Sequence, residues 1–326
     1  MSETLVLKGN GNIKSATVTN FGASLMKLEV QDKDGKVRDL VLGFDEASDY
    51  VNNPAFFGVV VGPIANRTAN AKFDLNGEIY DMEVNEGVNN LHTSFDAGMH
   101  KKDFDIEEQT ESSVTFRYVV KDMEDGFPGN RKMHIKYEID GDTFRLTYTI
   151  DTDKDTVYNP TNHSYFNLNG NESGKIFGHE VKLYADSYTA IDDGLIPTGE
   201  FVDIKGSDYD YSSCKGFDAS SAPVDHNFRL SKGDKFGPCA EVYSKESGIK
   251  MSVSSDLPGI QMYTGENIPD IKGKNGISYS SFCGIALETQ CFPNSVNEGI
   301  KNDTFKRPVV KAGESFKSVT EYKFEV

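Results

Sequence analysis

The chain has 326 residues, and its 34 basic against 51 acidic residues give a formal net charge of −17. An acidic excess of this size disfavours nucleic acid and anionic membrane surfaces as partners, and it argues weakly against a phosphorylated substrate. A neutral ligand is therefore favoured. The length allows two ordinary domains or one large all-β domain.

The N-terminal residues and the cysteines predict a cytoplasmic protein with reduced thiols. Residues 1–8 lack a basic segment followed by an apolar core, and no run of about 18 apolar residues occurs in the chain. The four cysteines form no Cys-x-x-Cys pair. Asn-x-Ser/Thr triplets are accordingly interpreted as chance matches.

The first third of the chain is typical of short strands. Residues 17–30 and 37–43 are rich in β-formers and are separated by the Asp-Lys-Asp-Gly turn at 32–35. Residues 45–50 fit a short helix or a loop. The apolar run 56–62 predicts a buried strand that ends at Pro63, and Asn76-Gly77 predicts a hairpin turn.

Two polar segments in this third of the chain contain candidate binding residues. Arg67 stands alone among small residues, which fits either a surface side chain or a fork of donors directed into a cleft. His92 lies in polar company after Gly87. From the residues alone, the surface interpretation of Arg67 is the stronger one.

The β pattern is clearest in the middle of the chain, where apolar and polar residues alternate with a period of two. The apolar positions of three consecutive runs are Val114, Phe116, Tyr118 and Val120; Met133, Ile135, Tyr137 and Ile139; and Phe144, Leu146, Tyr148 and Ile150. Asp140-Gly141 joins the last two runs, which predicts an antiparallel hairpin with one buried face. The sequence therefore predicts an all-β protein.

Further strands are expected in the second half. Residues 180–188, 199–204 and 249–253 fit strands, and the polar segment 207–224 predicts a long loop that leads to Asp225. Glu288 follows the apolar strand 284–287, and residues 315–326 fit a last strand. No repeat or linker divides the chain, so a single domain over residues 1–326 is expected.

Residues 159–170 carry the most concentrated candidate site. His163 is flanked there by Asn162 and Ser164, and Asn167 and Asn169 follow closely. Buried amides and hydroxyls need hydrogen-bond partners, and a hydroxyl-rich ligand would satisfy many of them at once. A polar turn that closes a hairpin explains this segment equally well.

Five motifs together resemble the aldose 1-epimerase family over nearly the whole chain, and they occur in the family's order. These are Ala65-Asn-Arg67, Asn90-Leu-His92, Asn162-His-Ser-Tyr-Phe-Asn167, Asp225-His-Asn-Phe228 and Leu287-Glu-Thr-Gln-Cys-Phe-Pro293. The resemblance implies one large antiparallel β-sandwich of the galactose mutarotase-like supersandwich type. It also implies an open cleft, no metal, no organic cofactor, and interconversion of the α and β anomers of a free hexose, galactose or glucose.

The resemblance also implies residue roles. Glu288 corresponds to the general base that takes the proton of the anomeric hydroxyl, and His163 corresponds to the acid that protonates the ring oxygen. The positions that resemble the family's sugar-binding residues are Asn66, Arg67, His92, Tyr165, Asp225 and Gln261. Independently of the family, ring opening moves one proton off an oxygen and another onto an oxygen nearby, so it needs one base and one acid on a shared cleft. Imidazole and a buried carboxylate suit these tasks.

The other histidines and a metal site have weaker support. His100, His134 and His179 are expected to be ordinary surface or strand histidines, and His226 is expected to support the Asp225 loop. No two histidines are three or four residues apart and no Cys pair accompanies them, so metal binding is disfavoured. Expected partners are a small sugar, neither nucleic acid nor membrane, and at most a weak homodimer of the chain.

Three departures from the family pattern concern sugar preference. Many relatives have an Arg where this chain has Pro63, a Gly-Gly where it has Thr93-Ser94, and a Trp after that loop, whereas this chain has no Trp. The sequence is also compatible with three other functions. They are a sugar-phosphate epimerase, a glycosidase with Asp225 and Glu288 as its carboxylate pair, and a non-catalytic sugar-binding module.

Overall fold

In the computed structural model, which describes residues 2–326, the regular secondary structure of the chain is mostly antiparallel β-sheet. Over these residues the largest sheet has nine strands, in the spatial order Asp105–Gln109, Ser113–Val120, Arg131–Asp140, Thr143–Thr152, Ser315–Glu325, Lys250–Ser255, Gly237–Ser244, His179–Leu183 and Lys215–Gly216. Over the same residues a second sheet has six strands, in the order Tyr165–Phe166, Ile285–Gln290, Gly259–Tyr263, Asp225–Leu230, Ala185–Ile191 and Pro197–Asp203.

Smaller elements complete the described part of the chain, residues 2–326. An N-terminal sheet contains Thr4–Lys8, Ile13–Thr19, Ser24–Gln31 and Val37–Asp39. Two-stranded pairs are Val60–Val61 with Thr161–Asn162, Arg67–Thr68 with Asn90–Leu91, Lys72–Leu75 with Glu78–Asp81, Thr156–Val157 with Val309–Val310, and Ile271–Lys272 with Ser278–Tyr279. Helical turns are short, at Ala47–Asn52, Ala69–Ala71, Met99–Lys101, Lys274–Gly276 and Ser295–Glu298.

The large sheets pack against each other as a β-sandwich. Apolar side chains of the four-, six- and nine-stranded sheets belong to one buried cluster. Across the interface, the Thr289 and Thr320 hydroxyls are hydrogen-bonded at 2.6 Å, and the rings of Phe166 and Tyr322 lie 5.2 Å apart. The predicted all-β antiparallel sandwich is therefore confirmed.

The period-two pattern in the middle of the chain is confirmed in detail. The three alternating runs form Ser113–Val120, Arg131–Asp140 and Thr143–Thr152, adjacent strands of the nine-stranded sheet. Asp140 pairs with Thr143, so the hairpin turns at the predicted Asp-Gly. The alternating pattern predicts these strands correctly because one face of this sheet packs on the core and the other faces water.

The predicted strand over residues 56–62 is wrong except at Val60–Val61. Phe56 and Gly58 have φ angles of 58° and 67°, so the backbone turns before the strand begins. The Gly58 N–H donates to the His163 carbonyl at 3.1 Å, and the Gly58 carbonyl accepts from the Leu25 N–H at 2.9 Å. The apolar run is buried as a turn because its backbone groups are satisfied by other segments.

Residues 180–188 form two strands instead of the predicted one. His179–Leu183 belongs to the nine-stranded sheet and Ala185–Ile191 to the six-stranded sheet. At the break, the Tyr184 N–H donates to the Cys239 carbonyl at 2.9 Å. The chain thus crosses between sheets at Tyr184, which a continuous β-rich pattern does not reveal.

The β-rich run 17–30 is divided between the strands Ile13–Thr19 and Ser24–Gln31, and the run 37–43 is a strand only at Val37–Asp39. Several other expectations agree with the structure. Ala47–Asn52 is a short helix, Asn76-Gly77 joins a hairpin, Pro197–Asp203 and Ser315–Glu325 are strands, and the segment 207–224 is mostly irregular. Within residues 2–326 the structure contains no helix with the length and hydropathy needed to span a membrane.

Candidate active site

A cleft of about 210 Å³ opens on the outer face of the six-stranded sheet. All eight residues that the sequence nominated line it: Asn66, Arg67, His92, His163, Tyr165, Asp225, Gln261 and Glu288. Six of them are buried, and Arg67 and Asp225 are half-buried. Residues up to 222 positions apart in sequence, from Asn66 to Glu288, are thus brought to one surface.

Three neighbouring strands supply the floor of the cleft. Glu288 pairs with Gln261, and the next strand places Asp225 opposite Tyr263. Residues opposite each other or two apart in such a ladder share a face, so these side chains point the same way. The Gln261 amide donates to Asp225 Oδ1 at 2.6 Å, which fixes both side chains.

His163 enters the cleft from the segment after Thr161–Asn162. Its backbone N–H donates to the Val59 carbonyl at 2.9 Å. Its ring lies 4.9 Å from the Tyr165 ring and 5.9 Å from Phe56, with which it stacks. His163 Nε2 is 3.7 Å from Glu288 Oε1. This separation exceeds a hydrogen bond, and it leaves the two groups able to serve neighbouring oxygens of one ligand.

One wall is built by two turns that interlock. Asn66 and His92 have φ angles of 62° and 57°. The Asn66 N–H donates to His92 Nδ1 at 3.1 Å, and the His92 N–H donates to the Asn66 carbonyl at 3.1 Å. Because Nδ1 accepts, neutral His92 carries its proton on Nε2.

Glu86 is a site residue that sequence reasoning missed. The Arg67 guanidinium donates to both of its carboxylate oxygens, through Nε at 2.7 Å and through the terminal nitrogen at 3.0 Å. Such a two-point pair fixes the plane of the guanidinium. An acidic residue immediately before Gly87, in a polar segment beside His92, was the available signal.

Phe56 and Tyr263 were also missed. Phe56 stacks on His163 and lies 5.1 Å from the His92 ring. The Tyr263 hydroxyl accepts from the Asn267 N–H at 2.9 Å, and both residues line the cleft. Phe56 resembled a core strand residue, so the sequence offered no signal for it.

His100 corrects a prediction, because it is buried and not a surface histidine. Its ring packs at 4.9 Å against the edge of Phe56, behind the cleft. Burial lowers the pKa of His100 to about 4. His179 is likewise buried, on the strand that carries it, and burial lowers its pKa to about 4.

Burial dominates the electrostatics of the cleft. It raises the pKa of Glu288 well above its usual range, the charge of Asp225 raises it further, and Arg67 opposes both. Burial lowers the pKa of His163 to about 4, against a hydrogen bond that raises it. Burial also lowers the pKa of His92 well below its usual value. In the absence of a ligand, each group is therefore driven toward its neutral form.

The model of the family described as aldose 1-epimerase matches residues 4–323 of the chain. The chain belongs to the aldose 1-epimerase family. Relatives named galactose mutarotase and aldose 1-epimerase are isomerases, and this chain is an isomerase of that family.

Curated relatives support the family over the whole length. Galactose mutarotase of Bos taurus is 36% identical over 321 residues, which cover 95% of this chain and 90% of the relative. Aldose 1-epimerase of Escherichia coli (strain K12) is 32% identical over 333 residues, which cover 98% and 94%.

Solved structures support the fold. An aldose epimerase homologue from C. elegans superposes with a TM-score of 0.91 at 27% identity and covers 100% of this chain and 99% of its own. Galactose 1-epimerase from Lactobacillus acidophilus superposes with a TM-score of 0.83 at 23% identity, over 100% and 98% of the two chains. The aldose 1-epimerase sandwich is thus shared.

The residues at two of the departures from the family pattern, Pro63 and Thr93-Ser94, do not line the cleft. Pro63, Thr93 and Ser94 line a separate cavity of about 290 Å³. Thr93 has a φ angle of 69°, and its hydroxyl joins the N–H and the carbonyl of Ile64, each at 2.9 Å. Thr93 can therefore influence the cleft only indirectly, through the turn that carries its neighbour His92.

Proposed function

We propose that the protein is an aldose 1-epimerase that interconverts the α and β anomers of free hexoses, with galactose and glucose as substrates. The observation that carries the proposal is the buried pair His163 and Glu288, 3.7 Å apart, at the floor of a cleft lined by amide, imidazole, carboxylate and guanidinium groups. Such groups complement the many donors and acceptors of a sugar ring.

Glu288 acts as general base and His163 as general acid. Glu288 removes the proton from the anomeric hydroxyl, the bond between the anomeric carbon and the ring oxygen breaks, and His163 gives a proton to that oxygen. The open aldehyde then rotates about its C1–C2 bond. Ring closure returns the proton to His163 and the other proton to the new anomeric hydroxyl, so the enzyme is regenerated without net change.

The pair carries one transferable proton. Without a bound sugar, this proton is on Glu288, because burial raises the pKa of Glu288 and lowers that of His163 to about 4. A bound sugar favours the opposite arrangement, since its anomeric hydroxyl donates to a carboxylate and its ring oxygen accepts from an imidazolium. Sugar binding therefore prepares the pair for ring opening.

The remaining polar residues hold the ring while the bond breaks. The Asp225 carboxylate accepts hydrogen bonds from sugar hydroxyls, and Arg67, His92 and Gln261 donate hydrogen bonds to them. Arg67 is engaged by Glu86 on two nitrogens. A neutral sugar fits this paired guanidinium better than a phosphate, which needs free positive charge.

Polarimetry tests the proposal. Freshly dissolved α-D-galactose and α-D-glucose are followed near pH 7, with and without the protein, and with chelator present. We expect the optical rotation to reach equilibrium faster with the protein for at least one of the sugars. Unchanged rates for both sugars would contradict the proposal. Assays with hexose 6-phosphates and aryl glycosides then identify a sugar-phosphate epimerase or a glycosidase.

A further inference from the structure

Asn159 is buried at the start of the segment 159–170 and does not line the cleft. Its side chain is bonded at both ends to one residue. Its Oδ1 accepts from the Cys291 N–H at 2.8 Å, and its Nδ2 donates to the Cys291 carbonyl at 3.4 Å. The amide thus reproduces, with a side chain, the paired bonds that one strand makes to the next.

The backbone of Asn159 makes a second pair of bonds. Its N–H donates to the Pro63 carbonyl at 2.7 Å, and its carbonyl accepts from the Ala65 N–H at 2.8 Å. One residue therefore connects three separate segments. Each of these segments carries cleft residues a few positions away: Asn66 and Arg67 on the first, His163 on the second, and Glu288 on the third.

The bonds of the Asn159 side chain to Cys291 lie where the segments that carry His163 and Glu288 are not joined by a β-ladder. Beyond His163, Tyr165 and Phe166 form a ladder with Ile285–Gln290. Before His163, Thr161–Asn162 pairs with Val60–Val61, and over residues 2–326 no ladder joins it to Ile285–Gln290. Side chains bridge this gap: the Asn159 amide at Cys291, and the Thr161 hydroxyl, which donates to the Thr289 carbonyl at 3.1 Å.

We infer that Asn159, supported by Thr161, is a positioning residue that sets the separation of His163 and Glu288. The inference rests on the proposed roles of this pair. The reason is geometric, because a shift of about 1 Å between reacting groups can lower a rate by about 10²-fold. Asn159 bonds the segment that carries His163 to the segment that carries Glu288, on the N-terminal side of His163, where no β-ladder joins these two segments. Its contacts to the sugar-binding residues are indirect, through Ala65.

The test compares Asn159→Ala with Asn20→Ala. Asn20 is an equally buried amide that also bridges two backbone segments, accepting from the Glu3 N–H at 2.6 Å and donating to the Phe104 carbonyl at 2.9 Å, and it does not line the cleft. We expect both variants to lose thermal stability. Asn159→Ala alone should lower kcat by 10- to 100-fold with KM within about threefold of the unmodified protein. A kcat within twofold of that of Asn20→Ala would overturn the inference.

Two further measurements keep the inference open to refutation. If Asn159→Ala does not fold, Thr161→Val removes one hydroxyl at nearly constant shape and should lower kcat several-fold with KM unchanged. An unchanged kcat would overturn the inference. Crystal structures give a readout without activity, because the distance between His163 Nε2 and Glu288 Oε1 should change in Asn159→Ala and stay constant in Asn20→Ala. Mutarotation by the unmodified protein tests the proposed function separately.

Discussion

At the scale of single residues, burial in the same cleft shifts the pKa values of Glu288 and His163 in opposite directions. Each is held in an environment that favours its neutral form, as the directions of both pKa shifts indicate. Such opposite shifts are the pattern expected of a carboxyl and an imidazole that exchange protons with one substrate.

Removal of either partner should abolish most of the activity. We expect Glu288→Gln and His163→Gln each to lower kcat by roughly 10² to 10⁴, because each removes one of the two groups proposed to transfer protons. KM should change far less, since the other cleft residues remain. Because Gln retains the size of the side chain without a titrating group, thermal unfolding should show an intact fold. A variant with near-native kcat would remove that residue from the mechanism.

Glu86 leads to a separate prediction about binding. Glu86→Gln removes one negative charge from the two-point pair with Arg67, so the guanidinium is held less firmly. We expect KM for the sugar to rise roughly 5- to 10-fold, equivalent to about 1 kcal/mol, with kcat within twofold. Steady-state polarimetry of the variant measures both constants. A lowered kcat with unchanged KM would instead place Glu86 in the proton-transfer step.

At the scale of elements, much of the fold follows from period-two patterns. Ser113–Val120, Arg131–Asp140 and Thr143–Thr152 were predictable because each buries one face. The turn at Phe56 and the sheet crossing at Tyr184 were not, because their backbone bonds go to segments distant in sequence. Tertiary partners override local pattern at such places.

The candidate site was predictable to a similar extent. The eight nominated side chains came from a family resemblance and do meet in one cleft. Phe56 was missed because its neighbours in sequence resemble a core strand, and Glu86 was missed because the polar segment before Gly87 does not show which residue Arg67 pairs with. What places them in the site is the pairing of Arg67–Thr68 with Asn90–Leu91 and the turn at Gly58, which only a folded chain displays.

Gly58 allows a test of that turn. A Cβ on Gly58 would lie 2.0 Å from the Leu25 carbonyl oxygen, whereas a Cβ on Gly77 would meet nothing within 4 Å. Both glycines have positive φ angles, of 67° and 85°. Gly77→Ala therefore isolates the cost of backbone conformation, which we expect to be about 1 kcal/mol. Gly58→Ala adds a clash and should cost about 3 kcal/mol or more.

Urea unfolding of both variants measures this difference. Gly58→Ala should also lower kcat, since the Gly58 N–H bonds the His163 carbonyl. Gly77→Ala should leave kcat unchanged. Equal losses of stability in the two variants would show that the turn relaxes around the added methyl group.

At the scale of the whole molecule, buried histidines connect stability to pH. Burial lowers the pKa of His100, His163 and His179 to about 4 each. In the unfolded chain a histidine has a pKa of about 6.5, so the unfolded state binds these protons first as pH falls. Stability should then decrease from about pH 6.5 down to about pH 4. Glu288 opposes this trend, because its raised pKa makes the folded state bind a proton more tightly.

His179 isolates the effect outside the cleft. Its Nε2 accepts from the Leu168 N–H at 3.0 Å, and its Nδ1 lies 2.8 Å from the Ile176 carbonyl, so protonation of Nε2 would break the first bond. Between pH 7 and pH 5 the histidine should remove roughly 1 to 2 kcal/mol from the free energy of unfolding. We therefore expect His179→Gln to lose less stability than the unmodified protein over this interval when both are unfolded in urea. Equal losses in the two proteins would show that His179 does not contribute to the acid sensitivity of the fold.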